Sequence, residues 1–291
     1  MNSSALRFVR QVGVRRRHCV TTFSAHSNTT FANQFNRRAI GAAYSSLSRE
    51  SSEGKSVIIT GSSQGIGKAI ALRLAADGYN VCVNDLSKKQ AQCDEVAKEI
   101  RSMGRKACTA VADVTKQDEV KRMIETSVRE LGPLNTMIAN AGIVEVREVL
   151  EVSEQDFRRM LDINVLGVHN CLSEAAKQLI NQGDCDPTAQ WAVRGLVEVY
   201  AMSLAKHNIT ANTYAPGIIG TEMWETIDAG FSKISDMERG TVMATVARSM
   251  SALGRPGTAE DVAKMVSFLA SSDSDYITGQ SQLVDGGIVY T

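Results

Sequence analysis

The chain has 291 residues, 43% hydrophobic and 22% charged, with a formal net charge of zero, the balance of an ordinary globular protein. No run approaches the ~18 apolar residues of a membrane span, so no membrane partner is expected. Eight arginines and no Asp, Glu or Lys precede Glu50, so the remainder carries an equal excess of acid and offers no basic face for nucleic acid.

Residues 1–51 read as a basic, targeting-like or disordered segment, and 52–291 as one folded domain. The first segment is rich in Arg, Ser and Thr, with Leu6, Phe8, Val9, Val12 and Val14 near its start. That is the composition of a mitochondrial transit peptide. Arg15-Arg16-Arg17 interrupts the apolar core that a signal peptide needs. A mitochondrial location is expected, with the cytoplasm as the alternative.

The domain opens on the β-branched run Val57-Ile58-Ile59, then glycines, then a helical pattern through Ile70, Leu72, Leu74 and Ala75. Val81-Cys82-Val83 is a second strand ending at Asp85, and a charged helix follows from Ser87 to Met103. A third strand spans 107–111, a helix 117–131, and a fourth strand 134–139. A long helix is expected over 153–180, its apolar stripe running through Phe157, Met160, Leu161, Val165, Val168, Leu172, Ala175, Ala176 and Leu179. Another helix starts near Trp191, a strand runs from Ile209 to Tyr214, helical patterns follow at 221–229, 235–250 and 258–271, and Ser281 to Val284 is the last strand. This alternation predicts an α/β domain with a doubly wound parallel sheet and right-handed crossovers. Six cysteines form no C-x-x-C pair, and four histidines are too scattered to suggest a metal.

Gly61-x-x-x-Gly65-x-Gly67 falls between the first strand and the first helix, where glycines let the backbone approach a pyrophosphate at the helix N-terminus. Asp85 closes the second strand, where an acid accepts ribose hydroxyls and repels a 2′-phosphate. That favours NAD, with NADH preferred over NADPH; a plain helix N-cap is the other role open to Asp85. Asp113, after the third strand, is placed to reach an adenine amino group or to serve as a turn acid. Asn164, inside an apolar helix stripe, is an amide that needs partners.

The set Thr60-Gly61-Ser62-Ser63-Gln64-Gly65-Ile66-Gly67, Asp113-Val114, Asn140-Ala141-Gly142, Asn164 and Pro216-Gly217-Ile218-Ile219-Gly220-Thr221 resembles the ordered motifs of the short-chain dehydrogenase/reductase family, over about residues 54–290. The phrases Tyr214-Ala215-Pro216-Gly217 and Thr221-Glu222-Met223-Trp224 are most similar to its diacetyl/acetoin reductase (butanediol dehydrogenase) branch. The resemblance implies a Rossmann fold, a homo-oligomer, and NAD(P)-dependent alcohol dehydrogenase or ketone reductase activity on a small diketone or hydroxyketone. It implies that Ser63, Gln64 and Ile66 belong to the cofactor turn and that Asn140, Ala141 and Gly142 line the floor under the adenosine ribose. Ile219 backbone and Thr221 hydroxyl would contact the carboxamide, and Asn164 would help hold a relay water.

The chain departs from that pattern between Asn164's helix and Trp191. Aligned on Trp191-Ala192-Val193-Arg194-Gly195-Leu196, the family's catalytic tyrosine position holds Asp186 and its lysine position Gln190; the linker 181–190 contains no serine. No tyrosine in the chain has a lysine four residues later. Without that pair, no group donates the proton that hydride transfer to a carbonyl requires. The expected alternatives are a catalytically impaired NAD-binding pseudoenzyme or a truncated, inactive product. The linker is also poor in strand formers, so a missing or defective central strand is expected: a hole beside the fourth strand, or a local rearrangement.

Overall fold

The computed structural model describes Ser52 and residues 54–182, 188–191, 194–234 and 238–290. The segment before Ser52, and with it the targeting reading, lies outside the described residues. The body from Ser51 onward clusters as one unit.

Seven parallel strands form one sheet in the order β3-β2-β1-β4-β5-β6-β7. They are β1 (Ser56–Ile59), β2 (Asn80–Val83), β3 (Ala107–Thr109), β4 (Leu134–Ile138), β5 (Thr188–Trp191), β6 (Thr210–Pro216) and β7 (Ser281–Val284). The helices are α1 (Gly65–Ala76), α2 (Gln90–Ser102), α3 (Gln117–Leu131), α4 (Glu154–Leu161), α5 (Gly167–Gln182), α6 (Arg194–Leu204), α7 (Glu222–Ile234), α8 (Val242–Met250) and α9 (Ala259–Leu269). A single wide turn of π-helix, Asp162–Leu166, joins α4 to α5. The order reverses between β1 and β4, which opens a crevice at the carboxyl ends of those strands.

Successive strand residues point to opposite faces, so β1 supplies both cores. Ile58 packs with α3, α5 and α6 through Val120, Met123, Leu172 and Val197. Val57 and Ile59 pack with α1, α2 and α9 through Ile70, Leu74, Val96 and Val266. Both faces of the sheet are covered, which is why β1 and β2 read as unbroken apolar runs.

The sheet has no hole. β5 fills the place where one was expected, pairing Thr136, Met137 and Ile138 of β4 with Thr188, Ala189 and Gln190, and Thr188 to Trp191 with Thr210 to Thr213 of β6. The rearrangement that achieves this is local. Trp191, expected at the start of a helix, is the last strand residue, and α6 begins at Arg194. The reason is backbone pairing: β4 and β6 would otherwise each leave a row of buried N–H and C=O groups unmet, at ~1–3 kcal/mol for each buried group left without a partner. Gln182 helps by tying the end of α5 to the foot of β4; its amide accepts from Leu134 N at 3.0 Å and donates to Leu134 O at 3.0 Å.

The long helix expected over 153–180 divides into α4, the π turn and α5. Its apolar stripe buries only from Val168 onward, while Phe157, Leu161 and Val165 are exposed. Among the described residues no helix is long and apolar enough to cross a membrane, and no cluster of His, Cys, Asp or Glu has the form of a metal site.

Candidate active-site cleft

The turn after β1 is built to hold its backbone close to something else. Gly61 and Gly65 have φ of 64° and 56°, a region that favours glycine. At Gly67 a Cβ would stand 2.3 Å from Gly61 O and 2.6 Å from Asn140 Nδ2. The turn is stitched to β2 by Ser62, whose N–H donates to Asn84 O at 2.8 Å and whose hydroxyl accepts from Asn84 N at 3.1 Å. Its last residue leads into the N-terminus of α1, where free N–H groups and the helix dipole favour an anion.

Two acids flank this turn. Asp85 accepts the Ser63 hydroxyl on Oδ2 at 2.5 Å and the Leu86 N–H on Oδ1 at 2.8 Å. Asp113 forms a local turn, its Oδ1 accepting from Thr115 N at 3.0 Å and Thr115 Oγ1 at 2.8 Å. The Asp113 N–H in turn donates to Glu119 Oε2 at 2.8 Å. That bond, ahead of the one from Lys116, holds the Glu119 carboxyl below the usual glutamate range. Val114 packs against Gly167, where a Cβ would stand 2.6 Å from Val114 Cγ2.

Asn140 forms the floor. Its amide donates to Thr60 O at 2.9 Å and Gly61 O at 3.2 Å, and its Oδ1 accepts the Tyr214 hydroxyl at 3.1 Å. Tyr214 is buried, and burial pushes its phenol well above the ordinary tyrosine range, so it stays protonated as a donor. Thr60 Oγ1 accepts from Asn140 N and Ala141 N at 3.0 and 3.1 Å. Asn164 sits in the π turn and closes a reciprocal pair with Ile143: Oδ1 accepts from Ile143 N and Nδ2 donates to Ile143 O, both at 3.0 Å. Its side chain therefore fixes the loop that leaves Gly142, and the π turn positions its backbone.

At the far end, Gly217 passes over the chain just after β7, with room only for hydrogen: a Cβ would stand 2.7 Å from Asp285 Cα. Ile218 O and Gly220 N bond to Gly257 on either side of Ile219, so that bridge leaves Ile219's own peptide groups unused. Glu222, at the start of α7, reaches back over the turn to within 3.3 Å of a Cβ placed on Gly65.

These pieces enclose a cleft of about 1150 Å³. Its wall includes Gly61, Gln64, Gly65, Ile66 and Gly67, then Asp85, Asp113 and Val114, then Asn140, Ala141 and Gly142, and finally Pro216 and Thr221. Ser63 and Ile219 are buried behind the wall instead. Thr60, Ser62, Asn84 and Tyr214 were missed as site residues by the sequence. Only their place beside the motifs hinted at them, since their work is to hold carbonyls and amides across strands. Asp186 lies outside the described residues, and Gln190 is a backbone member of β5. Tyr200 on α6 bonds His169 on α5 at 3.0 Å and is not among the residues that line the cleft.

The glycine turn, the acid after β2 and the clefted switch point have the arrangement in which open α/β sheets hold dinucleotides. The family model of the short chain dehydrogenases matches residues 55–186, and one described as Enoyl-(Acyl carrier protein) reductase matches 187–289. The chain is 40% identical to an L-2,3-butanediol dehydrogenase of Corynebacterium glutamicum, over 81% of this chain and 99% of that one.

The chain belongs to the short-chain dehydrogenase/reductase family.

A diacetyl reductase [(S)-acetoin forming] of Staphylococcus epidermidis is 38% identical over 81% of this chain and 99% of its own length. Among solved structures, carveol dehydrogenase from Mycobacterium avium in complex with NAD superposes with a TM-score of 0.74 at 26% identity, covering 81% of this chain and 98% of that one. A short chain dehydrogenase from Burkholderia cenocepacia in complex with NADP gives 0.71 at 26% identity, covering 82% and 99%. This short-chain dehydrogenase/reductase is accordingly an oxidoreductase by family, with a site of the nicotinamide-dinucleotide type.

Proposed function

We propose that this chain is an NAD-dependent oxidoreductase of the small-diketone and hydroxyketone type, with its cofactor half intact and its proton-transfer half disabled. The observation that carries the reading is the Asp85 carboxylate, held by Ser63 and Leu86 at the edge of a turn whose glycines leave no room for side chains. The residues fit a dinucleotide. Gly61, Gly65, Gly67 and the α1 N-terminus would take the pyrophosphate, Asp85 the adenosine ribose, and Asp113 the adenine amino group. Ile219 backbone and Thr221 would hold the carboxamide. When bound, the nicotinamide supplies or accepts a hydride.

The chain's own part in turnover is to orient that ring and to manage the proton. Asn164 engages both ends of its side-chain amide on Ile143, and its backbone would help hold a relay water. No Tyr-x-x-x-Lys exists to feed such a relay. Loss of a general acid costs ~10²–10⁴ in rate. The relatives named for butanediol and diacetyl support the substrate class. A second reading, an NAD-binding protein without turnover, is favoured by the same absence.

NADH fluorescence titration set beside diacetyl-dependent NADH oxidation separates the readings. Binding with slow turnover is expected. Binding alone selects the second reading, and neither overturns both. The proposal includes a homo-oligomer, supported by the exposed Phe157, Leu161 and Leu166 on adjoining turns, and light scattering at the monomer mass would refute it. It also includes mitochondrial import directed by residues 1–49, for which a fluorescent fusion that stays diffuse in the cytosol is the contrary result.

A further inference from the structure

We infer that Ser63 sets the choice between NADH and NADPH, as a positioning residue that pins the Asp85 carboxylate and does not itself touch the cofactor. This rests on the cofactor reading above and adds a residue and a role to it.

Ser63 is 5% exposed and lies behind the cleft wall. Its hydroxyl donates to Asp85 Oδ2 at 2.5 Å, while Leu86 N–H holds Oδ1 at 2.8 Å. Each oxygen thus has one donor from the protein and keeps acceptor capacity for a ribose hydroxyl. A carboxylate held at both oxygens cannot rotate away when a more negative group arrives. That rigidity matters here because cations stand beside it. Lys88 and Lys89 line the same end of the cleft, and Lys89 Nζ reaches across to Gln64 Oε1 at 2.8 Å. Lys88 has no such bond among the described residues.

The rim therefore holds two opposed recognition elements. The pinned carboxylate accepts a 2′-hydroxyl and repels a 2′-phosphate, while the lysines attract the phosphate. With Ser63 in place the carboxylate is fixed in front. Without it, χ1 of Asp85 is free to turn toward Lys88 or Lys89, which lowers affinity for the ribose hydroxyls and opens room for a phosphate. A hydrogen bond to a charged acceptor is worth ~1.5–3 kcal/mol, so the preference ratio should fall by about ten- to a hundredfold.

The test titrates the full chain, Ser63→Ala and Ser63→Thr with NADH and with NADPH by fluorescence, beside thermal unfolding of each. The expected result is a fall in the NADH-to-NADPH affinity ratio for Ser63→Ala of at least about tenfold, with the ratio restored by Ser63→Thr, whose hydroxyl occupies the same place. A merely structural Ser63 would weaken both cofactors alike, so an unchanged ratio in Ser63→Ala overturns the inference, whatever the shift in Tm. If the unmutated chain binds neither cofactor, the cofactor reading itself fails. If it binds both equally, Asp85 is not the discriminator and the inference falls with it.

Discussion

The glycine turn with its neighbours and the β5 segment solve the same problem, filling the middle of a parallel sheet, by different means. Around the turn nearly every polar group has a named partner: Thr60, Ser62, Asn84, Asn140 and Tyr214 tie β1, β2, β4 and β6 to one another. Its strands bury apolar side chains on both faces. β5 is four residues, Thr-Ala-Gln-Trp, and holds its place through the backbone ladders to β4 and β6. A strand position between two strands can be occupied by almost any chain that reaches it, because the ladder is made by backbone groups that every residue but proline carries in full. A catalytic position cannot, because it needs particular side-chain atoms.

The strongest way to sharpen this contrast is to restore what β5 lacks. Replacing β5 and its flanks with a family-like strand that carries Ser and Tyr-x-x-x-Lys should raise diacetyl-dependent NADH oxidation by at least ~10²–10⁴, the share of a general acid alone. NADH affinity should change little. Full turnover by the unaltered chain would break the contrast, since unnamed residues would then be supplying the proton.

Stability offers the next comparison. Ile58→Ala, in the core of β1 at 0% exposure, should cost ~2–5 kcal/mol by urea unfolding. Ala189→Gly, in the middle of β5, should cost only the ~0.5–1 kcal/mol of added backbone freedom. Equal losses would mean that β5 is as strongly specified as β1.

Cofactor choice follows. Asp85→Ser should narrow the gap between NADH and NADPH by about ten- to a hundredfold, the worth of hydrogen bonds to a charged acceptor. Equal affinity of the unmutated chain for both cofactors would sink the idea.

The smallest effect is alkaline. Burial raises the Cys171 thiol from 9.0 to about 12 and pushes Tyr214 up as well. A folded pKa above the unfolded one contributes stability that is complete below pH 9 and lost as pH climbs toward 12. Urea midpoints should therefore fall between pH 8 and 10.5, and Cys171→Ala should flatten part of that slope. A flat profile would count against burial of these groups.

Most of the fold was legible because β1 and β2 carry short, largely β-branched apolar runs, each followed by a helical pattern. α3 and β7 begin and end where their patterns say. The stripe over 153–180 misled because Phe157, Leu161 and Val165 share a face with Val168 and Leu172 by period, yet the π turn interrupts that period and it is α5 that packs on β4. Period alone does not say how far a neighbour extends. Gln64, Asp85, Asp113 and Asn140 were readable from position after a strand. Tyr214 was not, because its hydroxyl meets Asn140 Oδ1 across 74 residues of chain.

The order of motifs by itself determined the family, the cofactor turn and the absence of the tyrosine and lysine, since each is a matter of residue type at a fixed spacing. Only the tertiary structure decided that the sheet closes, that Trp191 ends a strand, and that Ser63 faces Asp85 instead of the cleft. Those outcomes depend on which backbone groups β4 and β6 leave open and on which side chains two distant loops bring within hydrogen-bond reach. Such demands are written in the space between segments, and no local stretch of sequence carries them.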